Sequence, residues 1–176
     1  GCFLGSEKNN QLFSIADENT FQISTIGKLE SNSNAISEHI EHTKSLSVID
    51  KNKIINRRFK VVVDAVNGAA SVALPEMVRA LGCEVIPIYN IPNGKFPRGA
   101  EPLPHHLIDL GNAVKSHHAD VGFATDPDGD RLAIVDENGR PIGEEYTLTI
   151  CADGILSQAD INTPIVTNLS TTMALD

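Results

Sequence analysis

The sequence predicts an α/β fold, a mixed, mostly parallel sheet covered by helices. Three observations carry that expectation. Between residues 59 and 125, apolar segments of strand length alternate with segments of helical period. The first strand, Phe59-Lys60-Val61-Val62-Val63-Asp64, is continuously apolar at its centre, as a strand covered on both faces must be. Finally, the segment Leu132-Ala133-Ile134-Val135 begins seven positions after Thr125. A parallel crossover needs about ten residues or more, so this strand is expected to run antiparallel to the one before it.

The elements follow in order. Residues 6–19 read as a helix, with Leu12, Phe13, Ile15 and Ala16 near one face and Ser6 as its cap. Residues 20–34 are rich in Ser and Asn and read as a loop. A second helix is expected over residues 34–46, with Ile36 and Ile40 one turn apart. After the strand 59–64, residues 71–81 form a helix with Pro75 in its first turns and Gly82 as its stop. The strand 84–89 contains Pro87, which marks an edge position or an early end. Residues 90–104, with Pro92, Gly94, Pro97, Gly99 and Pro102, read as a loop, and Asn93 to Arg98 as its flexible surface portion in preference to a segment that faces a cleft and reaches a phosphate. A helix over 105–117 carries Leu107, Leu110 and Val114 on one stripe. The strands 121–125 and 132–135 come next, then an Asn138-Gly139 turn, a helix over 144–156 and a last strand over 164–169.

Composition narrows the function. The chain has 176 residues, 41% hydrophobic and 21% charged, an ordinary globular mix that excludes a largely disordered or collagen-like chain. The net charge is -9. Residues 1–58 carry seven basic and seven acidic groups, whereas residues 59–176 carry seven basic and sixteen acidic groups. So acidic a body does not suit a nucleic-acid surface, which needs clustered Lys and Arg. It suits a small-molecule or metal site, or simply a well-solvated surface. No apolar run reaches the ~18 residues of a membrane span. Cys2, Cys83 and Cys151 show no zinc-ligand spacing and read as free thiols, which gives a cytoplasmic expectation. The first residues show no basic start followed by an apolar core, so no secretory signal is expected, and because the chain does not begin with Met it is expected to be a piece of a longer protein.

Asp126-Pro127-Asp128-Gly129-Asp130-Arg131 is the chemically informative segment. It lies just beyond the carboxyl end of a buried strand, where open α/β sheets bind their ligands. Pro127 and Gly129 let the chain curl so that the three carboxylates converge. Without a cation they would repel one another. Oxygen ligands of this kind suit a hard divalent ion, Mg²⁺ first. Arg131 is no ligand but can grip a phosphate bidentately beside the metal, the equipment of phosphoryl transfer.

Three other readings compete. The first is a solvated acidic turn, or a non-catalytic acidic metal-binding module. The second is an EF-hand, since Asp126, Asp128, Asp130 and Glu137 match its spacing; it fails because Arg131 stands where the loop requires glycine. The third is a haloacid-dehalogenase-type phosphatase, whose Asp-x-Asp-Gly-Thr motif fits apart from Asp130, but which carries that motif on its first strand.

The hexapeptide and the following Leu132-Ala133-Ile134-Val135-Asp136-Glu137-Asn138-Gly139 resemble the metal-binding loop and hairpin of the α-D-phosphohexomutases, which include phosphoglucomutase, phosphomannomutase and phosphoglucosamine mutase. The likeness extends over residues 24–176. Val61-Val62-Val63-Asp64 with Asn67-Gly68, Glu101-Pro102-Leu103-Pro104 and Ala119-Asp120-Val121-Gly122 resemble second-domain stretches. Ile26-Gly27-Lys28-Leu29 resembles the exit from the first domain, and Gly143-Glu144-Glu145-Tyr146 and Asn168-Leu169-Ser170-Thr171-Thr172 the start of the third. The resemblance implies a four-domain enzyme that interconverts a sugar 6-phosphate and a sugar 1-phosphate. It works through a phosphoserine and a bisphosphate intermediate. Asp126, Asp128 and Asp130 would hold Mg²⁺ with the phosphoserine, and Arg131 would steady the phosphate in transfer. The family's Thr-x-Ser-His-Asn-Pro loop does not occur here. The expected organisation is therefore a first-domain tail over 1–35, the metal-loop domain over 36–140 and the start of a third domain over 141–176. Such a piece should be inactive on hexose phosphate by itself and prone to self-association.

The remaining polar residues have simpler readings. His105-His106 and His117-His118 point to different helix faces and read as surface residues. Asp64 is expected to order the Asn67-Gly68 turn. Glu144-Glu145 suit the first turn of a helix, and Arg57-Arg58 a solvated pair.

Overall fold

The computed structural model describes residues 4–20, 27–143, 145–157, 164–168 and 171–175. The chain divides into two units, residues 1–33 and residues 34–176. Of the residues singled out in the sequence, Cys2, Ile26, Glu144, Leu169 and Ser170 lie outside the described set.

The first unit contains α1 (Ser6–Asp17). Its cap is Gly5, in extended backbone, and Ser6 is the first helical residue rather than the cap. The apolar stripe of Leu12, Phe13 and Ile15 forms as expected, but no residue of α1 is buried.

The second unit runs α2 (Ala35–Lys44), α3 (Lys51–Arg57), β1 (Lys60–Asp64), α4 (Ala70–Ala80), β2 (Glu84–Ile88), α5 (Ile108–His117), β3 (Val121–Thr125), β4 (Leu132–Val135) and α6 (Glu145–Leu156). The strands pair in the order β2-β1-β3-β4. β1 is parallel to both β2 and β3, and β4 is antiparallel to β3, as the short connection requires. β2 is an edge strand, which is where its Pro87 is tolerated. The Asn138-Gly139 turn closes after β4, with the Asp136 carboxylate accepting from the amides of Asn138 (3.0 Å) and Arg140 (2.7 Å).

The alternation of β1 sorts the core into two layers. Val62 faces α5 and packs with Leu107, Leu110, Val114 and Val135. Val61 and Val63 face α4 and pack with Val78, Leu74 and Phe123. α2 lies on α4 and buries Ile40. At the amino ends of the strands, Asp120 and Lys60 tie β3 to β1: the Lys60 amide donates to the Asp120 carboxylate at 2.8 Å and the Asp120 amide to the Lys60 carbonyl at 2.8 Å.

Three elements differ from expectation. The helix expected over 105–117 begins at Ile108, and Pro104–His106 form a separate short 3₁₀ turn, so His105 and His106 do not lie on the helix. α3 was not anticipated; it is seven residues long, too short to show a hydrophobic period. Asp50 starts it by accepting from the Lys53 amide (2.9 Å), and Arg58 ends it in a left-handed conformation (φ 50°). The strand expected over 164–169 is not formed in its described part, residues 164–168. Among the described residues no strand lies beside it, so its backbone has no ladder to join.

Leu110, fully buried under the sheet, and Ile108, largely exposed on the same helix, separate core from surface. Leu110→Ala is expected to destabilise the second unit by about 2–5 kcal/mol. Ile108→Ala is expected to stay within about 0.5 kcal/mol of the parent. Urea titrations followed by circular dichroism check the contrast, and equal midpoint shifts would contradict this packing.

Candidate metal centre

β1 and β3 end side by side, with Asp64 paired to Ala124 in the parallel ladder. Their carboxyl ends therefore deliver two loops to the same edge. The loop after β1 contains Val66 and Asn67, both at positive φ (46° and 57°). That conformation is costly for a β-branched residue. Asp64 supports it, as its Oδ1 accepts from the Val66 amide at 2.9 Å. Asn67 braces the turn further, accepting from the Ile91 amide (2.9 Å) and donating to the Lys95 carbonyl (3.0 Å).

The loop after β3 docks on this turn. The Ala69 amide, at the start of α4, donates to the Pro127 carbonyl at 2.7 Å. Gly68 lies so close that a Cβ there would fall 2.4 Å from the Pro127 oxygen. Gly129 takes φ +81°, which turns the chain sharply between Asp128 and Asp130.

In this curl the three predicted carboxylates converge. Asp126, Asp128 and Asp130 each offer an oxygen, and these oxygens lie within 4.8 Å of one another. Among the described residues this is the one such group of potential ligands. Asp126 is buried, while Asp128 and Asp130 are exposed. The Asp126 Oδ1 accepts from the amides of Gly129 and Arg131, both at 3.1 Å, so its position is set by the loop itself. Burial acts to raise the Asp126 pKa, but the hydrogen bonds from Arg131, Asp128, Asp130 and Gly129 together hold it below the ordinary carboxylate range. Asp130 is pushed up, first by the charge of Asp128 and then by its hydrogen bond to Asp126 and that group's charge. One carboxylate fixed and favoured in its ionised form beside Asp130, which resists a further negative charge, is an arrangement that a cation would relieve. All donors are carboxylate oxygens, which suits a hard divalent ion such as Mg²⁺.

Arg131 turns back over the loop. Its Nη1 donates to Glu101 in a close ion pair, and its Nε lies 3.8 Å from Asp126 Oδ2 and 4.0 Å from Asp130 Oδ1. The guanidinium remains half-exposed. All four predicted residues are therefore together at one loop.

Sequence reading missed three neighbours. Glu101 had no assigned role, and it is the main partner of Arg131. Arg98 was read as part of a surface loop but is buried, with its Nε 2.6 Å from Asp64 Oδ2 and its Nη2 2.6 Å from the Thr125 carbonyl. Asp64 orders its turn as expected but is also fully buried and ion-paired. Burial raises the Asp64 pKa, opposed by the Arg98 guanidinium. The available signal was Asp64 itself, since a charge ending a continuously apolar strand needs a partner. His105 and His106 stack edge to face (4.2 Å), and His106 Nδ1 lies 2.7 Å from the Glu101 carbonyl, so this pair braces the loop.

A family model described as phosphoglucomutase/phosphomannomutase, alpha/beta/alpha domain II, matches residues 37–139, more than half of the chain. A phosphoglucomutase/phosphomannomutase from Thermococcus kodakarensis is 37% identical, over 94% of this chain and 36% of the relative. A protein from Pyrococcus abyssi named "probable phosphoglucosamine mutase" is 35% identical, over 100% of this chain and 38% of the relative. A crystal structure of a phosphoglucomutase/phosphomannomutase family protein from Burkholderia thailandensis superposes with a TM-score of 0.72 at 28% identity, over 88% of this chain and 32% of that one. The chain thus spans about a third of the length of these relatives. Among the described residues no helix is long and apolar enough to cross a membrane. With the mixed sheet, the acidic loop at the end of β3 and these likenesses in agreement, the chain belongs to the phosphoglucomutase/phosphomannomutase family.

Proposed function

We propose that this chain supplies the metal-loop domain of a Mg²⁺-dependent phosphohexomutase that interconverts sugar 6-phosphates and sugar 1-phosphates. The convergence of Asp126, Asp128 and Asp130 within 4.8 Å beyond β3 carries the reading. These carboxylates would hold the ion, and bound there it would neutralise negative charge on a phosphoryl group in transfer. Asp126 would offer Oδ2 to the ion, since its Oδ1 accepts from two amides. Arg131 would exchange its carboxylate partners for phosphate oxygens and steady them. The phosphoserine donor belongs to a loop of a kind this sequence lacks. Residues 1–35 and 141–176 are accordingly read as parts of flanking domains, and the chain alone as inactive on hexose phosphate. A cytoplasmic location and self-association of the isolated chain belong to the same reading. The dehalogenase-type alternative needs its acidic motif on the first strand, whereas here it follows β3.

Calorimetric titration of the chain with Mg²⁺ is expected to show weak, detectable binding, because three carboxylates leave several ligand positions to water. Asp128→Asn should remove that binding and leave the metal-free Tm unchanged or raised, as carboxylate repulsion is relieved. Near-normal binding by the variant would refute the ligand assignment; sub-micromolar affinity in the parent chain would mean that the site needs no further ligand.

In a complete mutase containing this chain, Arg131→Ala is expected to lower kcat by about a hundredfold or more. Mg²⁺ affinity should change little. Steady-state assays across a Mg²⁺ series separate the two parameters. A loss confined to Mg²⁺ affinity would make Arg131 a partner of the carboxylates and not of the phosphate.

A further inference from the structure

Arg98 is the most deeply buried basic side chain in the second unit's described ion pairs, with 2% of its side chain exposed against 0% for Asp64. Its guanidinium is spent on three acceptors. Nε donates to Asp64 Oδ2 (2.6 Å), Nη2 to the Thr125 carbonyl (2.6 Å) and Nη1 to the Gly99 carbonyl (3.3 Å). Asp64 ends β1 and Thr125 ends β3, so one planar group spans the carboxyl ends of two neighbouring strands. Thr125 immediately precedes Asp126. Its side-chain hydroxyl is buried without a hydrogen-bond partner, so what ties this residue to the loop edge is its backbone, through the ladder to Leu132 and the carbonyl held by Arg98. A buried charge held by three directional bonds has little freedom, and the peptide plane between Thr125 and Asp126 inherits that rigidity.

We propose that Arg98 is a positioning residue for the cation site: anchored on Asp64, its guanidinium fixes the Thr125 carbonyl and thereby the backbone from which Asp126 reaches the ion. The proposal rests on reading Asp126, Asp128 and Asp130 as the cation ligands. A lysine at 98 would keep the charge, but its single ammonium cannot reproduce the planar span between Asp64 and Thr125.

The test uses Mn²⁺ alone as probe, with free ion counted by electron paramagnetic resonance in solutions of the 176-residue chain. Arg98→Lys and Asp64→Asn are each expected to weaken Mn²⁺ binding by about tenfold or more, measured well below their melting temperatures. The amides of Gly129 and Arg131, which donate to Asp126, should exchange their hydrogens faster in both variants. A lowered Tm with unchanged Mn²⁺ affinity and amide exchange would reduce Arg98 to a general stabiliser and overturn the proposal. The parent chain gives a second test that survives failure of the variants to fold. Coupling is reciprocal, so saturating Mg²⁺ must slow hydrogen exchange at the Arg98 Nε. No change there also overturns the proposal. Asp128→Asn is the separate control: if it leaves Mn²⁺ binding intact, the ligand reading fails; if it abolishes binding while Arg98→Lys does not weaken it, only the positioning role fails.

Discussion

Three carboxylates whose oxygens lie within 4.8 Å of one another repel each other unless a cation lies among them, and the local architecture is organised against that repulsion. Asp126 is the fixed member, buried and held by two amides of its own loop. Those amides favour its ionised form, and Asp130, facing the charge of Asp128 first and Asp126 next, takes up the electrostatic penalty. Asp130 shows the result in its raised pKa. The amino end of α4 lies against the same loop, with the Ala69 amide on Pro127, so the positive end of a helix dipole faces the cluster. None of these groups takes up a ligand position. They make a strongly negative pocket tolerable without filling it.

Such a loop can be held only if the strands beneath it are held. β1 is covered on both faces, by α5 through Val62 and by α4 through Val61 and Val63. Its register with β3 is pinned at both ends. Lys60 and Asp120 exchange two hydrogen bonds at the amino end, while Asp64, Arg98 and Thr125 close the carboxyl end. A slip of one residue would exchange the side chains that β1 presents to α4 and to α5 and break both clamps. The buried ion pair is poor evidence of net stability by itself, since desolvation offsets much of its attraction. Its contribution lies in direction. It fixes where one carbonyl points, two bonds from the first acidic residue.

How much of this was legible in the sequence follows from how local each feature is. The strand-helix alternation, the antiparallel β4 and the edge position of β2 depend on spacing and on single residues such as Pro87, and they were readable. So was the convergence of Asp126, Asp128 and Asp130, because Pro127 and Gly129 stand between them. α3 was not, since seven residues provide no period and its cap, Asp50, resembles any loop aspartate. The 164–168 segment has strand composition, but pairing is a property of neighbours and not of composition. Arg98 was misplaced for a related reason. In a segment of prolines and glycines an arginine reads as solvent-exposed, and its partner lies 34 positions away. Glu101 likewise meets Arg131 across 30 positions.

The contrast between the two arginines carries the division of labour in the site. Arg98 is enclosed, meets three acceptors and has no solvent to exchange with. Its bonds are directional and costly to break, which suits a group that must never move. Arg131 is half-exposed, and so is its partner Glu101. An exposed pair of this kind contributes about 1 kcal/mol or less, because water competes for both ends. A guanidinium bound so loosely can leave carboxylates for a phosphate at little cost, while the acidic residues around it keep it close to where that phosphate would arrive. Burial thus separates two chemically identical groups into one fixed brace and one that is free to exchange partners, and the same buried-exposed gradient runs through the carboxylates, from enclosed Asp126 to open Asp128 and Asp130.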